Sequence, residues 1–172
     1  VTSQLPTNDD ARLILRHAFA TLAYRTAKAL RDAPPDFGHR SFGSSTRRPV
    51  RIVAHMADLM AWGISLARGD YVWSAEGSEN WEREVDRFFG NLSKLDELLA
   101  APGPFPGSME RIIQGPLADA LTHVGQLTML RGMSGSPIRP ESYARASISV
   151  GRVERDQEPP GREFEGDASD PE

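Results

Sequence analysis

Cysteine is missing from all 172 residues. That excludes disulfides, thiolate metal sites and cysteine nucleophiles. Also missing is a basic cluster able to track a phosphate backbone. Lys and Arg total 20 against 24 Asp and Glu, a formal net charge of −4, so no nucleic-acid partner is expected. No apolar run approaches the roughly 20 residues that a bilayer-spanning helix needs, and no membrane partner is expected either. The opening "VTSQLPTNDD" lacks the basic-then-apolar layout of a signal peptide, so the expected location is cytoplasmic. The chain begins at Val1 rather than Met, which leaves a removed leader open. Before Gly135 there is no strand-like alternation of apolar and polar residues.

What is present is the composition of one globular domain, 39% hydrophobic and 26% charged, in a chain long enough for a real core. Charge is uneven. The stretch 151–172 holds three Arg against eight acidic residues, a net of −5, which leaves the remainder near +1.

Four segments carry helical periodicity. The first is expected from about Asn8 to Asp32, capped by Thr7 or Asn8, with an apolar stripe through Leu15, Phe19, Leu22 and Leu30. Pro34 and Pro35 stop it. The second is expected to be capped at Ser45 or Thr46, to carry Pro49 in its first turn and to end at Gly69, with Ile52, His55, Met56, Leu59, Gly63 and Leu66 on one face. The third follows Ser78 along Trp81, Val85, Phe88, Leu92, Leu95 and Leu99. A short turn, "SMERIIQ", then precedes a fourth helix beginning near Pro116 and ending at "GMSG". Four amphipathic helices imply an all-α four-helix bundle over residues 8–135. Residues 136–165 are expected to run extended over the bundle or to pair as a short hairpin, and 166–172 to form a disordered acidic tail.

The fourth helix poses the chemical question. Asp119 and His123 lie four apart, one turn above each other on one face, on a stripe shared with Leu127 and Leu130. Together they can direct an oxygen and a nitrogen at one point. His55, on the apolar face of the second helix, is the candidate third donor. Two His and one carboxylate around a divalent ion, with positions left open, is a known catalytic arrangement. The same residues would also serve as a buried structural Asp–His pair, costly to break.

Other polar residues have two readings each. Asp58, three past His55, could hold that imidazole's second nitrogen or accept a proton from bound water, or could pair with Arg51. Gln126 could hydrogen-bond a metal ligand or pack between helices. His17 and His39 have no partner at ligand spacing and read as surface residues. Trp62, Trp73, Trp81 and Tyr24 read as core or bundle-mouth packing. Arg40, Arg47, Arg48 and Arg51 could attract an acidic substrate or a cofactor thiol, or could form a solvated loop. The loops 69–80 and 133–150 are expected to cover the open end of the bundle.

The segments "RIVAHMADLMAW" and "ADALTHVGQLTMLR" resemble the motifs of the DinB/YfiT-like family of metalloenzymes, in order and spacing, and the likeness spans about residues 8–135. The resemblance implies an up-up-down-down bundle with His55, Asp119 and His123 as ligands of a divalent transition metal (Zn, Ni, Fe or Mn). The commonest family pattern has His where this chain has Asp119, whereas the similar mycothiol-dependent maleylpyruvate isomerases place a carboxylate there. The family further implies S-transfer or isomerisation with a low-molecular-weight thiol on a small-molecule substrate, and a homodimer as one assembly state. A hydrolase activating water on the metal, or a non-catalytic stress or ligand-binding bundle, are the alternatives.

Overall fold

The computed structural model describes residues 8–164. The expected Thr7 cap and the 166–172 tail lie outside them. The described chain is all-helical, without a β-sheet. Its long elements are α1 (Asn8–Leu30), α2 (Pro49–Arg68) and α3 (Trp81–Ala100). A fourth rod is formed by α4 (Met109–Ile112), a π-helical turn (Ile113–Leu117) and α5 (Ala118–Met133) in unbroken succession.

The starts and stops follow local chemistry, with two departures from expectation. α2 begins at Pro49 after Arg48, whose side chain makes no capping bond; Ser45 and Thr46 lie too far upstream to cap it. α3 follows Ser78 as expected and is capped by Asn80, which accepts from the Arg83 N–H at 3.0 Å. The stretch 108–114 is helical rather than a turn. Ser108 caps it by accepting from the Arg111 N–H, and the π turn carries the helix past Pro116. A π turn pairs each N–H with a carbonyl five residues back, so the donor that proline lacks is stepped over. Gly69 ends α2 at φ 82, as its freedom to adopt left-handed backbone predicts.

The core is formed where the apolar stripes converge, with Phe19, Leu22, Met56, Met60, Phe88, Leu92, Leu95 and Leu127 all fully buried. Gly63 marks the tightest approach. A Cβ there would lie 2.8 Å from Leu95 Cδ2 and 3.6 Å from Pro116 Cβ, so any larger residue would have to push the Leu95 side chain aside where α2, α3 and the π turn meet. α2 is long and apolar enough, by length and composition, to cross a bilayer, which corrects the expectation that no stretch approaches that limit; 67% of its apolar window is buried inside the bundle.

Helix direction also differs from expectation. Arg87 donates to the Ala54 carbonyl, Asn91 to that of Ala57, and Leu95 sits beside Gly63, so α2 and α3 run parallel. Arg12 reaches the Ala101 carbonyl while Arg16 pairs with Asp96, so α1 opposes α3. α5 opposes α2, since Pro116 lies beside Gly63 while His123 faces His55. The order is up, down, down, up, not up-up-down-down. The cause is the connector 69–80, which runs back along α2 until Gly77 rests against Ala54 and Asp58, and so starts α3 at the same end as α2.

Beyond Ser134 the chain folds back on itself through one antiparallel bridge, Glu141 to Glu163. It is pinned to α1 by a buried polar cluster. Tyr24 Oη donates to Glu141 at 2.6 Å, and Lys28 binds Glu141 at 2.7 Å and Glu163 at 2.9 Å. Burial, reinforced by the Glu141 carboxylate, pushes the Tyr24 hydroxyl well above its usual range. Arg131 donates to the carbonyls of Ala29, Arg31 and Asp32, closing the C-terminal end of α1, and to Ser136.

Candidate metal centre

α5 presents Asp119 and His123 on the face turned toward α2, as their spacing requires. The π turn sets that face. It inserts an extra residue into the turn ahead of Ala118 and so rotates α5 relative to α4. Within α5, Ala120, Val124, Leu127 and Leu130 point into the core. Across from them His55 emerges from the second turn of α2.

The three side chains converge. His55 Nε2 lies 3.3 Å from Asp119 Oδ2, His123 Nε2 lies 3.3 Å from Asp119 Oδ1, and the imidazole rings stand at 89° with centroids 4.9 Å apart. One donor atom from each residue can be chosen so that all lie within 4.8 Å of one another. Donors about 2.1 Å from a shared ion at a tetrahedral angle would be separated by roughly 3.4 Å; each imidazole already stands at that distance from one oxygen of Asp119, His55 from Oδ2 and His123 from Oδ1. Two imidazole nitrogens and one carboxylate oxygen suit Zn, Ni, Fe or Mn.

The electrostatics favour a cation at the same point. His123 is 7% exposed and its Nδ1 sits 2.7 Å from Gln126 Oε1. A ring that donates its Nδ1–H to that amide oxygen turns, when neutral, an Nε2 lone pair toward a carboxylate oxygen. Two lone pairs facing at 3.3 Å call for a proton or a metal between them. Gln126 thereby holds ring and tautomer in the way that outer partners of metal-bound imidazoles do. The Asp119 side chain is 45% exposed, so the point of convergence opens outward.

Above it lies a cavity of about 550 Å³, within the size range of small-molecule sites. Ser45, Thr46 and Arg47 from the α1–α2 connector form its polar wall; Ile52, Met129 and Leu130 form its apolar one. Trp73 contacts His55 edge-on at 5.8 Å and Trp62 at 5.7 Å. The 69–80 loop thus reaches the site, as expected. Residues 133–150 do not: they line a separate cavity with Leu121, Val124 and Gly125 on another face of α5.

Asp58 takes neither of its expected roles. Its carboxylate binds Arg87 at 2.6 Å and accepts from the Glu76 N–H at 3.1 Å, with no bond to His55 or Arg51. Three residues turn a helix by roughly 300°, which aims Asp58 at α3 rather than along His55. Arg87 is shared with buried Glu84. Burial alone would raise the Glu84 carboxyl, but hydrogen bonds from Ser78 and Arg87 prevail and hold it below its ordinary value. Arg51 and Arg48 instead pair with Glu79.

His17 and His39 are exposed. Tyr24 and Trp81 belong to packing, Trp81 standing edge-on to Phe37 at 6.0 Å, whereas Trp62 and Trp73 belong to the rim of the site. The contributions of Ser45, Thr46 and Met129 have no signal in the sequence, because only the tertiary path of the connector brings the first two over α5.

No family model, curated protein or solved structure matches the chain.

Proposed function

We propose that this protein is a metal-dependent enzyme of DinB/YfiT-like kind, holding one divalent transition metal through His55, Asp119 and His123 and acting as a low-molecular-weight-thiol-dependent S-transferase or isomerase. The observation that carries the reading is the pair of 3.3 Å imidazole–carboxylate distances at the mouth of a cavity, one ring fixed by Gln126. Because the helix order departs from the order that the resemblance implies, support comes from the placement of these residues and not from topology. A homodimer and a cytoplasmic location belong to the same proposal.

An ion so held supplies a Lewis-acid centre that acidifies a coordinated thiol or water. The protein's own groups favour the thiol. Hydrolysis needs a base to manage protons near the reacting centre. Asp58, the carboxylate closest in sequence to His55, is committed to Arg87 and the Glu76 amide. A thiol would release its one proton to solvent at the open mouth of the site, and its thiolate would then need no further base to attack.

Elemental analysis of protein purified without a histidine tag tests the reading. Close to one transition metal per chain is expected, lost in His55→Ala while circular dichroism stays helical. Cobalt-loaded protein should gain sulfur-to-metal charge-transfer absorption on adding a small thiol. A metal-free wild type, with thermal stability indifferent to chelators, overturns the enzyme reading in favour of a ligand-binding bundle. Metal without a thiol-induced band redirects it to hydrolysis.

A further inference from the structure

Four arginines crowd the approach to α2, and three have ion-pair partners. Arg48 and Arg51 share Glu79, and Arg40 pairs with Asp36 at 2.7 Å and donates to the Ser134 carbonyl. Arg47 has no ion-pair or hydrogen-bond partner among the described residues, although it lines the 550 Å³ cavity beside Ser45 and Thr46. It also lines a second hollow of about 440 Å³ with Arg51 and Asp58, and the residues common to both hollows are Arg47 and His55. The unpaired cation therefore stands where the two spaces meet at a candidate metal ligand.

The surrounding charges leave it uncompensated. Asp119 is the carboxylate of the larger cavity, and it faces the two imidazoles. Asp58, in the second hollow, is neutralised by Arg87. A guanidinium keeps its charge at any working pH, and its planar fork matches a carboxylate. Ile52, Met129 and Leu130 supply apolar surface to the same cavity. A molecule that satisfied all three features would carry a carboxylate at one end, a short apolar body, and a metal-directed donor at the other.

We infer that Arg47 is the anion-recognising residue of this site and that its ligand is a small carboxylate. This rests on the metal reading above for the other end of the ligand. The carboxylate belongs either to the thiol co-substrate or to a separate acceptor.

The test uses the full chain loaded with cobalt. 3-Mercaptopropionate and 2-mercaptoethanol are titrated into wild type, Arg47→Gln and Arg47→Lys, with metal content measured for each. Wild type should prefer the carboxylate-bearing thiol by about tenfold, the scale of one charge-assisted pair at a part-open site. Arg47→Gln should reduce the preference to within about twofold at unchanged cobalt content, and Arg47→Lys should restore part of it. Comparing ratios between proteins cancels the difference in acidity of the two thiols. An unchanged ratio in Arg47→Gln overturns the assignment. Propionate added to protein saturated with 2-mercaptoethanol separates the two sources. Binding alongside the thiol assigns the carboxylate to an acceptor; binding only when tethered assigns it to the thiol, and either supports Arg47. If no cobalt binds, the metal reading has failed on its own. Propionate titrations of metal-free protein, followed by the fluorescence of Trp62 and Trp73, then decide: a response lost in Arg47→Gln sustains the anion site, and identical responses overturn it.

Discussion

Replacing Arg87 by Met should destabilise the bundle severely without touching the metal centre. Arg87 binds two carboxylates whose side chains are 7% and 0% exposed, Asp58 at 2.6 Å and Glu84 through its Nε at 2.7 Å, and it also donates to the Ala54 carbonyl. Methionine fills the volume but leaves both acids buried without a cation. Breaking a buried pair in this way costs about 3–5 kcal/mol, a large share of the roughly 5–15 kcal/mol that holds a typical domain together. With a urea dependence of about 2 kcal/mol per molar, the unfolding midpoint should fall by roughly 1.5–2.5 M. The companion variant Arg87→Met/Asp58→Leu/Glu84→Leu removes the stranded charges and should recover much of the loss. Urea unfolding followed by circular dichroism reads both, alongside metal content per chain. A midpoint shift below about 0.5 M, or metal lost in proportion to stability, would refute the view that Asp58 serves the α2–α3 junction and not His55.

Further perturbations test other joints. Gln126→Leu should weaken metal affinity by about 10–100-fold, measured by competition with a chromophoric chelator, because His123 loses the acceptor that fixes its tautomer; an unchanged affinity would reduce Gln126 to packing. Gly115→Ala places a Cβ 2.8 Å from the Trp62 ring, so overpacking of about 1–3 kcal/mol should lower Tm by roughly 2–10 °C and shift tryptophan emission. Glu84→Gln should cost most above pH 4.5, the ordinary value for the group. The folded protein holds this carboxyl lower, so its contribution is complete above that pH and fades as pH falls through the lowered value. The gap in Tm between wild type and variant should accordingly narrow on acidification.

The residues explain how much could be read before the structure. α1, α2 and α3 were legible because their stripes repeat strictly and Pro34, Pro35 and Gly69 stop the backbone for local reasons. Residues 108–114 were not, since proline at position 116 looks like a helix start unless the preceding turn widens to π. Helix direction was hidden in the 69–80 connector, whose length suits a short hop or a return along α2 equally well. Asp119, His123 and His55 were legible from spacing and from an imidazole on an apolar face. Asp58 misled because its spacing from His55 lets it aim at a neighbouring helix, and nothing local announces Arg87 there. The Tyr24–Lys28–Glu141–Glu163 cluster joins positions more than 100 residues apart, a pairing no local pattern encodes.

The central claim is most directly tested by anomalous scattering from crystals of the untagged protein, collected across the Mn, Fe, Ni and Zn edges. The account predicts a single strong peak about 2.0–2.2 Å from His55 Nε2, His123 Nε2 and one Asp119 oxygen, with at least one coordination position facing the cavity. A map with no peak among these three side chains, under conditions where the supplied metals were in excess, would contradict it.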